Sequence, residues 1–375
     1  MYIGIDVHKS SCYITALDGK GEILTEGEMT KKKLLKWASS LSVKDELAVE
    51  ASTTSRNIYQ KMKEMGLNVS VAHPTKIKLI GKSSKKTDRN DSFHLANLLR
   101  MDYLPLSYVP ERRYKEMRTI CRYRASLGRR IARVKNSVHS LLLRNDTEID
   151  RSDWFGVGGL KRLRSLKLNE MDSFILNSQL DELTHLMDRA REVQDVMANH
   201  AKDIPEVKLL MTIPGIDFYS AMTIIGEIGD VTRFSNPKKL VSYAGLAPRL
   251  RESGNISRSG HISKEGSRTL RWILISCAHS MLRHRGNSKL KKFYLHLIRR
   301  RKHKSVAIVA MAKKLLQLIY HLLLNDEPYE EEDKLLTRRK LDKMESRAKL
   351  PKVEIERTID RLSEKVYSSG GHTAV

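Results

Sequence analysis

Along the first part of the chain, apolar and polar positions alternate in short runs, the signature of strands. Tyr2-Ile3-Gly4-Ile5-Asp6-Val7 is one run, and Cys12-Tyr13-Ile14-Thr15-Ala16-Leu17 is the next. Asp18-Gly19-Lys20-Gly21 is a turn signal, after which Glu22 to Met29 alternates again. Lys31 to Leu41 changes to helical spacing, and Leu47-Ala48-Val49-Glu50 predicts a fourth strand. Ser55 to Met65 reads as a helix stopped by Gly66, and Leu67 to Ala72 as a fifth strand closed by His73-Pro74. A polar stretch, Lys82 to Lys86, leads into Thr87-Asp88-Arg89-Asn90-Asp91, from which a helix runs to about Met101.

Three hairpin-linked strands followed by alternation with helices is the order of an RNase H-like mixed sheet. The rest of the chain carries helical patterns. Residues 111–144 predict one long basic helix. In residues 170–200, Leu176, Leu180, Leu183, Met187 and Ala190 step by four and three alternately. That spacing suits a coiled-coil seam or the core face of an ordinary helix equally well. Ile213-Pro214-Gly215-Ile216, between two apolar helical patterns, resembles a helix-hairpin-helix, whose turn lets backbone N–H groups meet a phosphate. A Ser-, Gly- and Arg-rich stretch follows from Arg249 to Arg268, then helices from about Thr269 to Leu324. Past Asn325 the chain turns acidic and then mixed in charge, which predicts a loosely attached tail or an isolated helix. The expected class is α/β plus mostly α, in four segments: a mixed-sheet domain over 1–110, a basic and coiled-coil segment over 111–204, a helical domain over 205–325, and a charged tail over 326–375.

Charge narrows the partners. The 375 residues carry a formal net charge of +25, a field that attracts polyanions. The excess is clustered. Arg112, Arg113, Lys115, Arg118, Arg122, Arg124, Arg129, Arg130, Arg133, Lys135 and Arg144 face only Glu111 and Glu116, and the stretch from Arg283 to Lys304 is basic with no acidic residue. Such stripes point to nucleic-acid backbones, with Arg122, Arg129, Arg130, Arg133, Arg249, Arg251, Lys264 and Arg268 as contact candidates. The most membrane-like run, Ile308 to Leu324, is interrupted by Lys313, Lys314, Gln317 and His321. A cytoplasmic protein without a membrane partner is expected. Cys12, Cys121 and Cys277 are scattered, with neither metal nor disulfide spacing.

Four carboxylates carry candidate chemistry. Asp6 lies within an apolar strand, where an unpaired carboxylate is costly. Glu50 ends the fourth strand, and Asp88 and Asp91, three apart at a helix start, can share one face. If the first strand lies beside the fourth, as in an RNase H-like sheet, Asp6 and Glu50 meet near the sheet centre and the Asp88/Asp91 helix packs across them. Oxygen ligands gathered so suit Mg²⁺ or Mn²⁺. Two such ions about 4 Å apart activate a nucleophile and stabilise the leaving oxygen of a phosphodiester. His8 and His94 read as outer or surface groups, because hard cations take oxygen. Ser253, in Arg249-Leu250-Arg251-Glu252-Ser253-Gly254, is a candidate nucleophile amid guanidinium groups. By chemistry alone it is not distinguished from Ser257, Ser259 or Ser263, and a phosphate-binding loop would look the same.

Taken in order, these stretches resemble a known family. Tyr2-Ile3-Gly4-Ile5-Asp6-Val7-His8-Lys9, Val49-Glu50-Ala51-Ser52 and Lys86-Thr87-Asp88-Arg89-Asn90-Asp91 resemble the DEDD transposases of the insertion-sequence-110 group. Thr212-Ile213-Pro214-Gly215-Ile216, Glu227-Ile228-Gly229-Asp230, Arg233-Phe234, Tyr243-Ala244-Gly245-Leu246-Ala247-Pro248, Glu252-Ser253-Gly254 and Ile262-Ser263-Lys264-Glu265-Gly266 resemble its transposase domain. The likeness implies a RuvC-like domain in which Asp6, Glu50, Asp88 and Asp91 bind Mg²⁺, and Ser253 as the nucleophile forming a 5′-phosphoserine link. It implies a tetramer of two dimers, joined partly through residues 170–200, whose composite site combines the quartet of one subunit with the serine of another. It also implies a bridge RNA that guides excision and insertion between donor and target DNA. Thr53 stands where a Gly is frequent in the family, and His73 where an Asn is common; both bear on loop shape, neither on a metal ligand.

Other classes fit less well. Sugar kinases and actin-like ATPases also open with Gly-Ile-Asp, but Val7, His8 and Lys9 stand where their small phosphate-wrapping residues belong. A RuvC-like nuclease would use the four carboxylates with water as nucleophile and would not need Ser253. A non-catalytic nucleic-acid-binding protein would need neither.

Overall fold

The computed structural model describes residues 1–80, 87–147, 153–253 and 256–348; of residues 78, 79 and 250–259 it describes no side chain. The chain divides into two compact units, Met1–Val109 and the part beginning at Pro110.

In the first unit β1 (Tyr2–Val7), β2 (Ser11–Leu17) and β3 (Ile23–Thr30) are followed by α1 (Lys31–Ala38), β4 (Glu46–Glu50), α2 (Ser55–Glu64), β5 (Asn68–Ala72), α3 (Pro74–Ile80) and α4 (Asp88–Arg100). The sheet order is β3-β2-β1-β4-β5, antiparallel through the first three strands and parallel from β1 to β4 to β5. The first strand therefore lies beside the fourth, as the pattern predicts. The β2–β3 turn is closed by Asp18, whose Oδ1 accepts from the backbone N–H groups of Lys20, Gly21 and Glu22 at 2.8–2.9 Å. α3 is not foreseen: Pro74 reads as the close of a strand but stands as the first residue of a helix, where its missing N–H costs nothing.

Strand periodicity sorts the side chains. Ile3, Ile5, Leu47 and Val49 enter an apolar core with Leu34, Ile58 and Met62 of α1 and α2. The intervening positions, Gly4, Asp6, Ala48 and Glu50, belong to the opposite face, where Ala48 packs with Leu95 and Leu99 of α4. The helix that carries Asp88 and Asp91 thus crosses the face that carries Asp6 and Glu50.

The second unit is mostly helical: α5 (Arg112–Arg144), α6 (Val157–Arg164), α7 (Glu170–Ala201), α8 (Pro205–Met211), α9 (Phe218–Ile228), α10 (Pro237–Tyr243), the strands β6 (Pro248–Ser253) and β7 (Ile256–Ile262), then α11 (Arg268–Arg283), α12 (Lys289–Arg299), α13 (Lys304–Asn325) and α14 (Lys334–Ala348). Every residue of α9 is buried. Leu176, Leu180, Leu183 and Ala190 of the α7 seam are buried in the core that α7 shares with α5 of the same chain, where Met187 packs as well. α13 is long and apolar enough to cross a membrane, but Ile308, Met311, Leu315, Leu316 and Ile319 lie in the helical core.

One stretch gains an element and one expectation changes. Within Arg249 to Arg268, where the sequence assigns no element, β6 and β7 pair as an antiparallel hairpin, their polar sequences hiding the alternation. The chain past Asn325 is not loosely attached as far as it is described. Tyr329, Thr337, Met344 and Ala348 are buried, α14 packs on α7, and Arg347 pairs with Asp195 at 2.7 Å. The Lys82–Lys86 stretch and the tail from 349 onward lie outside the described residues.

Candidate metal centre and nucleic-acid surfaces

Asp6 and Glu50 end up side by side because β1 and β4 run parallel with Ile5 opposite Val49. The loop after Glu50 is tied to β1: Thr54 Oγ1 donates to the Val7 carbonyl at 2.9 Å, and Ser55 Oγ donates to the Glu50 carbonyl at 2.6 Å.

α4 approaches β1 closely because position 4 has no side chain. A Cβ on Gly4 would stand 2.0 Å from the Ser92 carbonyl oxygen and 2.5 Å from the Ala96 nitrogen. Buried Thr15 and Ser92 hydrogen-bond across the same contact at 2.7 Å. Thr87 caps α4, its Oγ1 accepting from the Asn90 N–H at 3.2 Å, and Arg89 reaches Glu26 of β3 at 2.6 Å. Asp88 and Asp91 therefore stand in the first turn of a pinned helix.

The four carboxylates share one field. Burial pushes the Asp6 carboxyl above its ordinary range; nearby His8 opposes the shift, and Asp91, Asp88 and Glu50 add to it. His8, which the sequence reading leaves at the periphery, bridges two of them. Its Nε2 lies 3.2 Å from Asp6 Oδ2 and 3.0 Å from Asp88 Oδ2. One ligand atom from each of Asp6, His8 and Asp88 lies within 4.8 Å of the others. Clustered anions around a partly buried carboxyl fit a divalent cation, which would remove their mutual repulsion.

The basic candidates divide. Arg129, Arg130 and Arg133 are exposed on α5. Arg122 has a different partner: its Nε and Nη2 donate to the two carboxylate oxygens of Glu227 at 2.7 and 2.9 Å, and Glu227 is 1% exposed. Arg118 donates to the Gly226 and Glu227 carbonyls and to Tyr243 Oη. Part of the basic stripe thus fastens α5 onto α9. The signal for this was Glu227, an acid within an otherwise uncharged helix.

Arg249 and Lys264 are exposed at the base of the β6–β7 hairpin, with Arg249 donating to the Ser263 carbonyl at 3.1 Å, and Arg268 opens α11. Ser253 ends β6, its backbone paired with Ile256 at the hairpin tip; the side chains of Ser253 and Arg251 lie outside the described residues, as does Gly254. The Ile213–Ile216 turn faces inward. Gly215 has φ +88, and a Cβ there would meet the Met281 nitrogen at 2.8 Å. Lys340 of α14 donates to the carbonyls of Met211, Ile213 and Ile216, the last two at 3.0 and 3.1 Å.

Residues 3–145 match the sequence pattern of IS110-type DEDD transposases, and residues 207–295 match the pattern described as the transposase IS116/IS110/IS902 family. The chain is 24% identical over 338 residues to the transposase for insertion sequence element IS1111A of Coxiella burnetii, covering 87% of this chain and 90% of that protein. It is 24% identical over 326 residues to the transposase for insertion sequence element IS1328 of Yersinia enterocolitica, 85% of this chain and 95% of that one. A pilin gene-inverting protein of Moraxella bovis is 25% identical over 346 residues, 88% and 97% of the respective chains.

Proposed function

The chain belongs to the IS110 family of insertion-sequence transposases, and from that premise we propose that it excises and inserts its own element by divalent-metal-dependent DNA cleavage and strand exchange. It is an enzyme that acts on DNA. The observation that carries the proposal is the geometry around Asp6: Asp6 and Asp88 meet at His8 Nε2, and Glu50 and Asp91 are near enough to raise the Asp6 carboxyl further.

In this reading the four carboxylates, with Mg²⁺ or Mn²⁺, form the catalytic centre of a RuvC-like domain. The ion would supply charge for the developing alkoxide and for activation of the attacking group. Ser253 is the nucleophile. Its Oγ attacks the scissile phosphorus and loses its proton, the bond to the 3′-oxygen breaks, and the DNA 5′-phosphate stays on the serine while a 3′-hydroxyl leaves. The family resemblance and the position of Ser253 at the end of β6, in a hairpin that carries exposed Arg249 and Lys264 at its base, support this assignment. Arg129, Arg130, Arg133, Arg249, Arg251, Lys264 and Arg268 hold nucleic-acid backbones. Specificity comes from a bridge RNA paired with donor and target DNA, and the working form is a tetramer of two dimers. Residues 1–110, 111–204, 205–325 and 326–375 are the functional segments of this scheme, the last of them fastened to the helical unit through Lys340 and Arg347.

The test combines the protein, DNA spanning an element end, and RNA transcribed from the element's flanks. Wild type should yield a covalent protein–DNA adduct on a denaturing gel. Ser253→Ala should yield neither adduct nor cut strand, and Asp88→Asn should bind DNA without cutting it. Cleavage that persists in Ser253→Ala would instead mark a nuclease using water. Sequencing the RNA that co-purifies with the protein from its host tests the guide; finding no defined RNA removes the guided part of the scheme alone.

A further inference from the structure

The carboxylate cluster contains one nitrogen donor that the DEDD quartet does not include. His8 follows β1 in the turn to β2, and its backbone N–H donates to the Ser11 carbonyl at 2.9 Å, so the residue is held by the hairpin. Its Nε2 lies 3.2 Å from Asp6 Oδ2 and 3.0 Å from Asp88 Oδ2, on two different elements. Bonds of about 2.1 Å, usual for a small divalent ion, put neighbouring ligands of an octahedron about 3 Å apart. The two His8 contacts stand at that spacing, and all three donor atoms lie within 4.8 Å of one another. The imidazole is 44% exposed, and both carboxylates contact its Nε2.

We propose that His8 Nε2 is a metal ligand beside Asp6 and Asp88, and that it makes this site favour first-row transition ions over Mg²⁺, with Mn²⁺ as the paramagnetic probe of the bond. The inference rests on the metal-site reading above. An all-oxygen site suits hard ions such as Mg²⁺, whereas an imidazole among carboxylates raises the affinity for transition ions relative to Mg²⁺, which binds nitrogen poorly. His8 in this role is a specificity-determining residue: removing it leaves an oxygen-only site able to hold Mg²⁺.

Pulsed electron paramagnetic resonance on the full chain loaded with Mn²⁺, without DNA, reads the bond directly. Wild type should show ¹⁴N modulation from a coordinated imidazole, replaced by ¹⁵N lines when the histidines are ¹⁵N-labelled. The modulation should vanish in His8→Ala and in His8→Asn, and persist in His94→Ala. Mn²⁺ affinity should fall about tenfold in the His8 variants, the scale seen when a site loses a supporting interaction, while Mg²⁺ affinity changes less than about twofold. Bound Mn²⁺ with no nitrogen coupling, or coupling that survives in both His8 variants, overturns the ligand assignment and leaves the carboxylate site standing. Absence of bound Mn²⁺ in wild type, or Mn²⁺ binding unchanged in Asp6→Asn and Asp88→Asn, overturns the metal site itself and His8 with it.

Discussion

Gly4 lies so close beneath Ser92 that a Cβ on it would stand 2.0 Å from the Ser92 carbonyl oxygen. This contact decides how near α4 comes to β1, and hence whether Asp88 and Asp91 reach the field of Asp6. Both neighbours are backbone atoms of a helix, so relief requires moving α4 as a body. Gly4→Ala should destabilise the first unit by about 1–3 kcal/mol, the range for overpacking, and should lower Mn²⁺ affinity even in the molecules that remain folded. Denaturant titration and metal titration of the same variant check both halves. Unchanged affinity would mean that α4 can shift without disturbing the site.

The same helix start offers a gentler perturbation. Thr87 Oγ1 accepts from the Asn90 N–H, and losing such a cap costs about 1 kcal/mol. Thr87→Ala should therefore leave the melting temperature of the whole chain little changed while loosening the turn that bears Asp88 and Asp91. Metal affinity should fall, and Thr87→Ser should restore it.

That Asp6 and Glu50 share one face of the sheet was legible in the sequence because strand periodicity is strict. Once β1 and β4 are read as neighbours, Ile3, Ile5 and Val49 must enter one core and Gly4, Asp6 and Glu50 must share the other face. The β6–β7 hairpin was not legible, since Arg and Ser occupy its positions and no apolar alternation remains. Nor was the duty of Arg122 or Lys340. Each is defined by a partner far away in the chain, Glu227 and the Met211–Ile216 carbonyls, and charge runs alone do not reveal a tertiary partner. His8 escaped for a related reason: hard-cation chemistry argues against nitrogen, and only the fold brings its imidazole between two aspartates.

Arginines on α5 should separate into two kinds. Glu227 is buried and bound by both donors of Arg122, so Arg122→Ala strands a charge in the core. Removing one partner of a buried pair costs about 3–5 kcal/mol; with Arg122 itself half exposed, the lower end applies. Arg122→Ala should lose stability, and the added change Glu227→Gln should recover part of it. Arg129→Ala, Arg130→Ala and Arg133→Ala should leave stability intact but weaken nucleic-acid binding, each flattening the dependence of log Kd on log salt. Binding isotherms at several salt concentrations, set beside melting curves, would expose the opposite assignment if stability and binding fell together in all four.

Lys340 makes the attachment of α14 sensitive to alkaline pH. Burial lowers its ammonium from 10.5 to about 8, with Asp217, Glu332 and Asp333 opposing the shift. Below about pH 8 both the folded and the unfolded chain carry the proton, and the cost of burying the charge is constant. Between about pH 8 and 10.5 the unfolded chain still holds a proton that the folded one has lost, so stability gains with rising pH. The slope contributed by this one group is at most about 1.4 kcal/mol per pH unit. Against that, the neutral amine gives weaker hydrogen bonds to Ile213 and Ile216 than the ammonium does. Lys340→Met should remove the alkaline rise while leaving three carbonyls of the α8–α9 turn without their donor, at about 1–3 kcal/mol for an unsatisfied buried group. Limited proteolysis should then cut within α14 of Lys340→Met far faster than in wild type at pH 7. Equal cutting rates, or an alkaline rise of the same size in the variant, would show that α14 is held by Met344, Ala348 and Arg347 without help from Lys340.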